Sequence, residues 1–242
     1  MEVYKELVVQ LRQLNPNDFK RNEDIEQYVK VYIASVILFY VVYLACHFFM
    51  SKIIQFKLYN ELSSYDQADY LSRITAQLHA LISSVISYYL MFYNCGGDKT
   101  YFNSDECFYN PTHLTISLLC ISFGYISFDL IIILKDIQDF SSLGLQNVFH
   151  HIISMTASFT ALMVGGFNIS AASATAFTEV STIFLHIRYY MIKAKCANGK
   201  PFLIIMLTFI GLFIYARLYL QVFVAMRMKE GFDREYDNLL KR

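Results

Sequence analysis

The chain has 242 residues, 56% of them hydrophobic, with mean hydropathy +0.38 and 20 basic against 20 acidic residues. That balance, without a long basic run, argues against a nucleic-acid partner. The charges fall between apolar stretches too long for a soluble core, so the chain reads as an all-α, multi-pass integral membrane protein.

Residues 1–30 read as a polar N-terminal tail. The tail carries Glu23, Asp24 and Glu26, and it has neither the apolar centre of a signal peptide nor the acid-poor composition of a transit peptide. Six apolar runs follow, at 31–50, 74–93, 113–134, 148–167, 169–190 and 202–226. A helix rises ~1.5 Å per residue, so about 20 residues cross a hydrocarbon core ~30 Å thick, and each run is long enough to span. Only Gly165, Gly166, Phe167 and Asn168 separate the fourth run from the fifth, which predicts a tight hairpin of antiparallel helices. Residues 31–226 then form one membrane domain and 227–242 a polar C-terminal tail that, like the N-terminal one, would need a protein partner to hold it. Lys and Arg divide almost evenly between the two faces, so the positive-inside rule assigns no orientation. No internal repeat of the transporter kind is visible.

Two of the five cysteines, Cys46 and Cys120, lie in apolar runs as packing residues. Cys95 and Cys107 flank a loop with Gly96, Gly97 and Asp98; a disulfide there and two free thiols are equally compatible with the sequence.

The chemistry lies in the polar groups placed inside the runs. In the fourth, Asn147, His150, His151, Ser154 and Ser158 recur at helical spacing as a stripe that lipid cannot satisfy. Asp129 lies deep in the third run with Tyr125 one turn before it, and in the fifth Thr175, Glu179, Thr182 and His186 share a face. Arg217 stands in the sixth. These groups cannot each sit alone in hydrocarbon, and an ion pair of Arg217 with Glu179 or Asp129 is the cheapest arrangement. Such a network can simply lock a bundle together. It also holds a nucleophile or base in the histidine pair and carboxylates able to orient it, as acyl transfer requires. The six histidines lack the repeated i, i+3 and i+4 spacing of membrane metal sites, so neither a metal nor a cofactor is expected.

His79-Ala80, Gly124-Tyr125 with Asp129, His150-His151, the stretch from Thr178 to Phe184 with Arg188, and Arg217 occur in an order that resembles the TLC-domain family. That family includes TRAM, the Lag1-type ceramide synthases and a broad group of TLC-domain-containing proteins. The resemblance implies six transmembrane helices in a barrel around a lipid-sized cavity. It implies catalytic roles for His150, His151, Glu179 and Asp129, with acyl-CoA as a substrate rather than a cofactor, and a supporting lining of His79, Tyr125, Ser154, Thr175, Thr182, His186 and Arg217. In the synthase branch the histidines act with two aspartates. Here Glu179 can replace the first and Thr182 cannot replace the second, which places the chain nearer the branch linked to membrane lipid composition. The expectation is therefore a protein that binds or processes membrane lipid, by acyl transfer or in lipid homeostasis. The alternative is a non-catalytic accessory subunit of a larger membrane assembly, such as a respiratory-chain complex. The endoplasmic reticulum and the mitochondrial inner membrane both fit.

Overall fold

The structure, a computed structural model, describes residues 23–139 and 141–240. Those residues form helices and connecting turns with no strand. Helix α1 (Glu23–Phe48) ends in a π turn (Phe49–Ile53), and a short α2 (Lys57–Asn60) leads to α3 (Ser64–Phe92). After α4 (Asp105–Tyr109) comes α5 (His113–Ile132), closed by a second π turn (Ile133–Ile137), then α6 (Ser142–Val164). A 3₁₀ turn (Ala176–Thr178) separates α7 (Phe167–Thr175) from α8 (Glu179–Lys193). The last rod is α9 (Gly199–Phe213), a π turn (Ile214–Tyr219) and α10 (Leu220–Leu240). Helix starts sit where a hydroxyl can satisfy open backbone N–H groups: Ser63 accepts from Asp66, Thr112 from Thr115 and Ser141 from Gly144.

Four helices among the described residues are long and apolar enough to cross a membrane: Glu26–Ile53, Ser64–Phe92, His113–Ile137 and Gly199–Asp237. The fourth and fifth expected spans differ from these four. Helix α6 is continuous over 23 residues but carries Gln146, Asn147, His150 and His151, which lower its hydropathy. The fifth run is broken by the 3₁₀ turn. The hairpin between them forms as expected, with Gly165 and Gly166 at φ 83° and 55°, backbone angles that glycine adopts without steric cost. The first helix begins at Glu23, inside the segment read as a tail, and the rest of that segment, 1–22, lies outside the described residues.

Helices α3 and α5 pack on each other at the centre; α1, α7 and α8 pack on α3, and α1, α6 and α7 on α5. The α1–α5 contact is close because Gly124 has no side chain: a Cβ there would lie 2.7 Å from Ser35 Cβ and 2.9 Å from the Tyr32 carbonyl oxygen. Small residues that let two backbones approach are a common way of joining helices in lipid, where apolar surface gains nothing by leaving water. Apolar side chains such as Ile37 and Val41 on α1 and Ile204 and Leu207 on α9 are exposed, as on a lipid-facing surface.

The two ends of the bundle differ. At one, Tyr70 packs edge to face on Tyr59 and at a tilt on Tyr189 and Tyr190, and Lys193 reaches Asp66 at 2.9 Å. At the other, Cys95 and Cys107 are joined in a disulfide, which resolves the two readings of that loop. Helix α10 docks on the same loop. Arg227 donates to the Tyr101 carbonyl and pairs with Asp105 at 2.8 Å, Arg234 pairs with Asp105 as well, and Phe167 packs against Phe108, Tyr109 and Phe232. The C-terminal segment is thus held by its own chain.

Candidate functional site

A cavity of about 440 Å³ lies between α3, α5, α6 and α8, with Arg217 reaching in from the last rod. Its lining starts at Tyr65, Asp69 and Asp139, at the tyrosine-rich end, and runs inward to His79, Tyr125 and Arg217. Nearly every residue expected at the site lines it: His79, Tyr125, Asp129, His150, His151, Ser154, Glu179, Thr182, His186 and Arg217.

Thr175 does not. An unbroken helix would place it on the Glu179 face, but the 3₁₀ turn at Ala176–Thr178 has ~3.0 residues per turn and shifts the phase before Glu179. Its hydroxyl instead donates to the Ala171 carbonyl and to Gln221 Oε1.

The best-connected group is His151. Its Nδ1–H donates to the Asn147 carbonyl at 2.8 Å, one turn back, and its Nε2 lies 2.8 Å from Asp129 Oδ2. The other carboxylate oxygen, Oδ1, accepts from the Ser72 hydroxyl at 2.6 Å. His151, Asp129 and Ser72 are 7%, 4% and 6% exposed. A carbonyl can only accept, so Nδ1 carries a hydrogen, and the 2.8 Å contact then requires one more proton between Nε2 and the carboxylate. The pair is either imidazolium with carboxylate or neutral imidazole with carboxylic acid. Both have no net charge, which is what a buried site can hold.

His150 differs from its neighbour. It is exposed to the cavity, its ring stands perpendicular to that of His151 with centroids 5.7 Å apart, and neither ring nitrogen has a hydrogen-bond partner among the described residues. Glu179, half-buried at the first turn of α8, also has no such partner. His79 is buried at the inner wall of the cavity. Its Nε2 contacts the hydroxyls of Ser83 at 2.9 Å and Ser122 at 3.1 Å, and its ring lies flat on Tyr125 with centroids 4.1 Å apart. His186 is 6% exposed, and both of its nitrogens lack partners among the described residues.

The expected ion pair of Arg217 is not formed. The guanidinium donates from Nε to the Ser181 hydroxyl and from Nη2 to the Thr182 hydroxyl, both at 3.4 Å, and no carboxylate among the described residues is within ion-pairing distance. Asp129 is engaged by His151 and Ser72, and Glu179 lies farther off than a contact pair.

The outer rim holds groups that sequence reasoning passed over. Arg73 Nε reaches both oxygens of Asp69 at 3.1 and 3.2 Å, and its guanidinium sits 4.1 Å over the Tyr189 ring, whose hydroxyl also donates to Asp69 at 2.7 Å. Asp69 and Arg73 are one helical turn apart near the start of a long apolar helix, a spacing that could have marked them. The third member, Tyr189, is 120 residues away and left no local signal.

No curated protein and no solved structure shows significant similarity to the chain. The family comparison is positive: the TLC domain matches residues 69–236, well over half the chain, and that stretch contains both histidines of the pair, both interior acids Asp129 and Glu179, and Arg217. The protein is an integral membrane protein of the TLC-domain family.

Proposed function

We propose that the protein processes membrane lipid in this cavity, by acyl transfer, with six helices crossing the membrane around it. The observation that carries the reading is the pairing, within one polar cavity of an otherwise apolar bundle, of a fully engaged histidine with one whose ring nitrogens are open. In this reading His150 is the base: its open nitrogen takes the proton of an acceptor hydroxyl or amine, whose oxygen or nitrogen bonds to the acyl carbonyl carbon. The bond to the leaving group breaks, and that group departs with the proton from His150. His151 and Asp129 position His150 and set the local field without exchanging net charge. Glu179 faces the same space as a second proton acceptor. An acyl thioester fits the donor role as a substrate.

The test compares His150→Ala with Phe159→Ala, a change on an exposed part of the same helix, by lipid mass spectrometry of cells carrying each variant. His150→Ala is expected to change at least one lipid class while the protein stays folded, and Phe159→Ala to change none. Unaltered lipid profiles with folded His150→Ala protein would end the catalytic reading.

A further inference from the structure

We infer that Arg217 is an anion-binding residue of the cavity and holds the carboxylate or phosphate of the lipid ligand; this deepens the lipid-processing reading and rests on it. An arginine within an apolar helix is costly to place in a membrane, so it normally comes with a partner. Two of the cavity's other charges are matched, Arg73 with Asp69 and Asp129 with His151, while Glu179 lines the same space without a contact partner among the described residues and forms no contact pair with Arg217. Arg217 has only two neutral hydroxyls, each 3.4 Å away, at the long end of hydrogen bonding. Its remaining terminal nitrogen, Nη1, has no protein acceptor among the described residues, and the residue is half-buried and lines the cavity.

The backbone supports this placement. Arg217 lies within the π turn Ile214–Tyr219 of the last rod, and single π turns inside α-helices concentrate at functional positions. Phe213, with its ring centroid 5.5 Å from the guanidinium, supports one side of the group. Ser181 and Thr182, from the facing helix, aim its planar fork. A guanidinium so fixed can accept a carboxylate or phosphate with two parallel hydrogen bonds.

The experiment uses the full chain extracted gently from its own membrane, with co-purifying lipid identified by mass spectrometry. Wild-type protein is expected to retain an acidic lipid. A free fatty acid would identify the source as a carboxylate, and a phospholipid or lysophospholipid as a phosphate. Arg217→Gln is expected to lower its occupancy at least tenfold and Arg217→Lys to retain part of it. A ligand-side comparison needs no variant: a long-chain fatty acid should bind wild-type protein about tenfold or more tighter than its methyl ester, or phosphatidic acid tighter than diacylglycerol, since one charged hydrogen bond gives about that ratio. Equal binding of the charged and neutral forms overturns the inference. So does a loss of thermal stability in Arg217→Gln that Glu179→Gln restores, because Arg217 would then serve an internal ion pair. Retention of neutral lipid alone overturns the anion site and leaves the lipid-processing reading standing, whereas no retained lipid overturns both.

Discussion

At the scale of single residues, the informative quantity is the number of protons the His151–Asp129 pair holds. Nδ1 is committed to the Asn147 carbonyl, so the contact to Asp129 always contains one hydrogen. Asp129→Asn preserves a hydrogen bond, because the amide can donate to a neutral Nε2, and should lower the melting temperature only slightly. Asp129→Ala leaves Nε2 and the Ser72 hydroxyl without their acceptor in a buried site and should cost about 3–5 kcal/mol. Thermal unfolding of both variants in one lipid environment checks this. Equal losses would mean that the carboxylate's charge, rather than its hydrogen bonds, holds the site together. The sequence carried the pieces of this site and little of their pairing. His151 and Asp129 stand out because each is expensive in an apolar run, but which of the two histidines turns to Asp129 depends on the rotation of α6 against α5. Ser72, the third member, is one small hydroxyl among many on α3.

At the scale of elements, helix existence follows from apolar length, and the interruptions follow from packing. Runs one, two, three and six are legible as helices by length alone, and Gly165-Gly166 marks the hairpin. The 3₁₀ turn at 176–178 has no glycine or proline to announce it, which is why Thr175 was expected on a face it does not share. Two contacts between elements allow direct tests. Gly124→Val would drive α1 from α5, since even a Cβ would come within 2.7 Å of Ser35. Overpacking of this kind costs about 1–3 kcal/mol, and Ser35→Gly on the facing helix should recover part of the loss in a melting experiment. The dock of α10 is the second. Hydrogen bonds from Arg227, then Arg234, hold the Asp105 carboxyl below the ordinary carboxylate range. The unfolded chain therefore takes up that proton more readily than the folded one. The stability from the dock is complete above the ordinary value near 3.8 and is lost as pH falls below it. Half-exposed pairs of this kind contribute up to about 1 kcal/mol. Acidification below about pH 4 should lower the wild-type melting temperature, and Asp105→Asn should remove that share of the pH dependence while lowering the melting temperature at neutral pH.

At the scale of the whole molecule, basic residues divide too evenly to orient the protein, but the cysteines do not. The Cys95–Cys107 disulfide lies at the end where α10 docks, whereas Cys196, exposed and unpaired, follows α8 at the opposite end, beside Lys193 and the outer rim of the cavity. Disulfides persist in oxidising compartments and exposed thiols in reducing ones, so the cavity is expected to open toward the reducing side. In the proposed reaction a water-soluble co-substrate would then enter past Tyr65, Asp69 and Asp139. The expectation can be checked without any assay of activity. In sealed vesicles of known orientation, a membrane-impermeant maleimide should modify Cys196 only from the reducing face. A cysteine placed by Asp237→Cys near the end of α10 should react only from the other face. Cys95 and Cys107 should resist alkylation until reduced. Labelling of both reporters from one side would mean that the last rod does not cross the membrane, and alkylation of Cys95 and Cys107 without reductant would remove the basis for orienting the cavity at all.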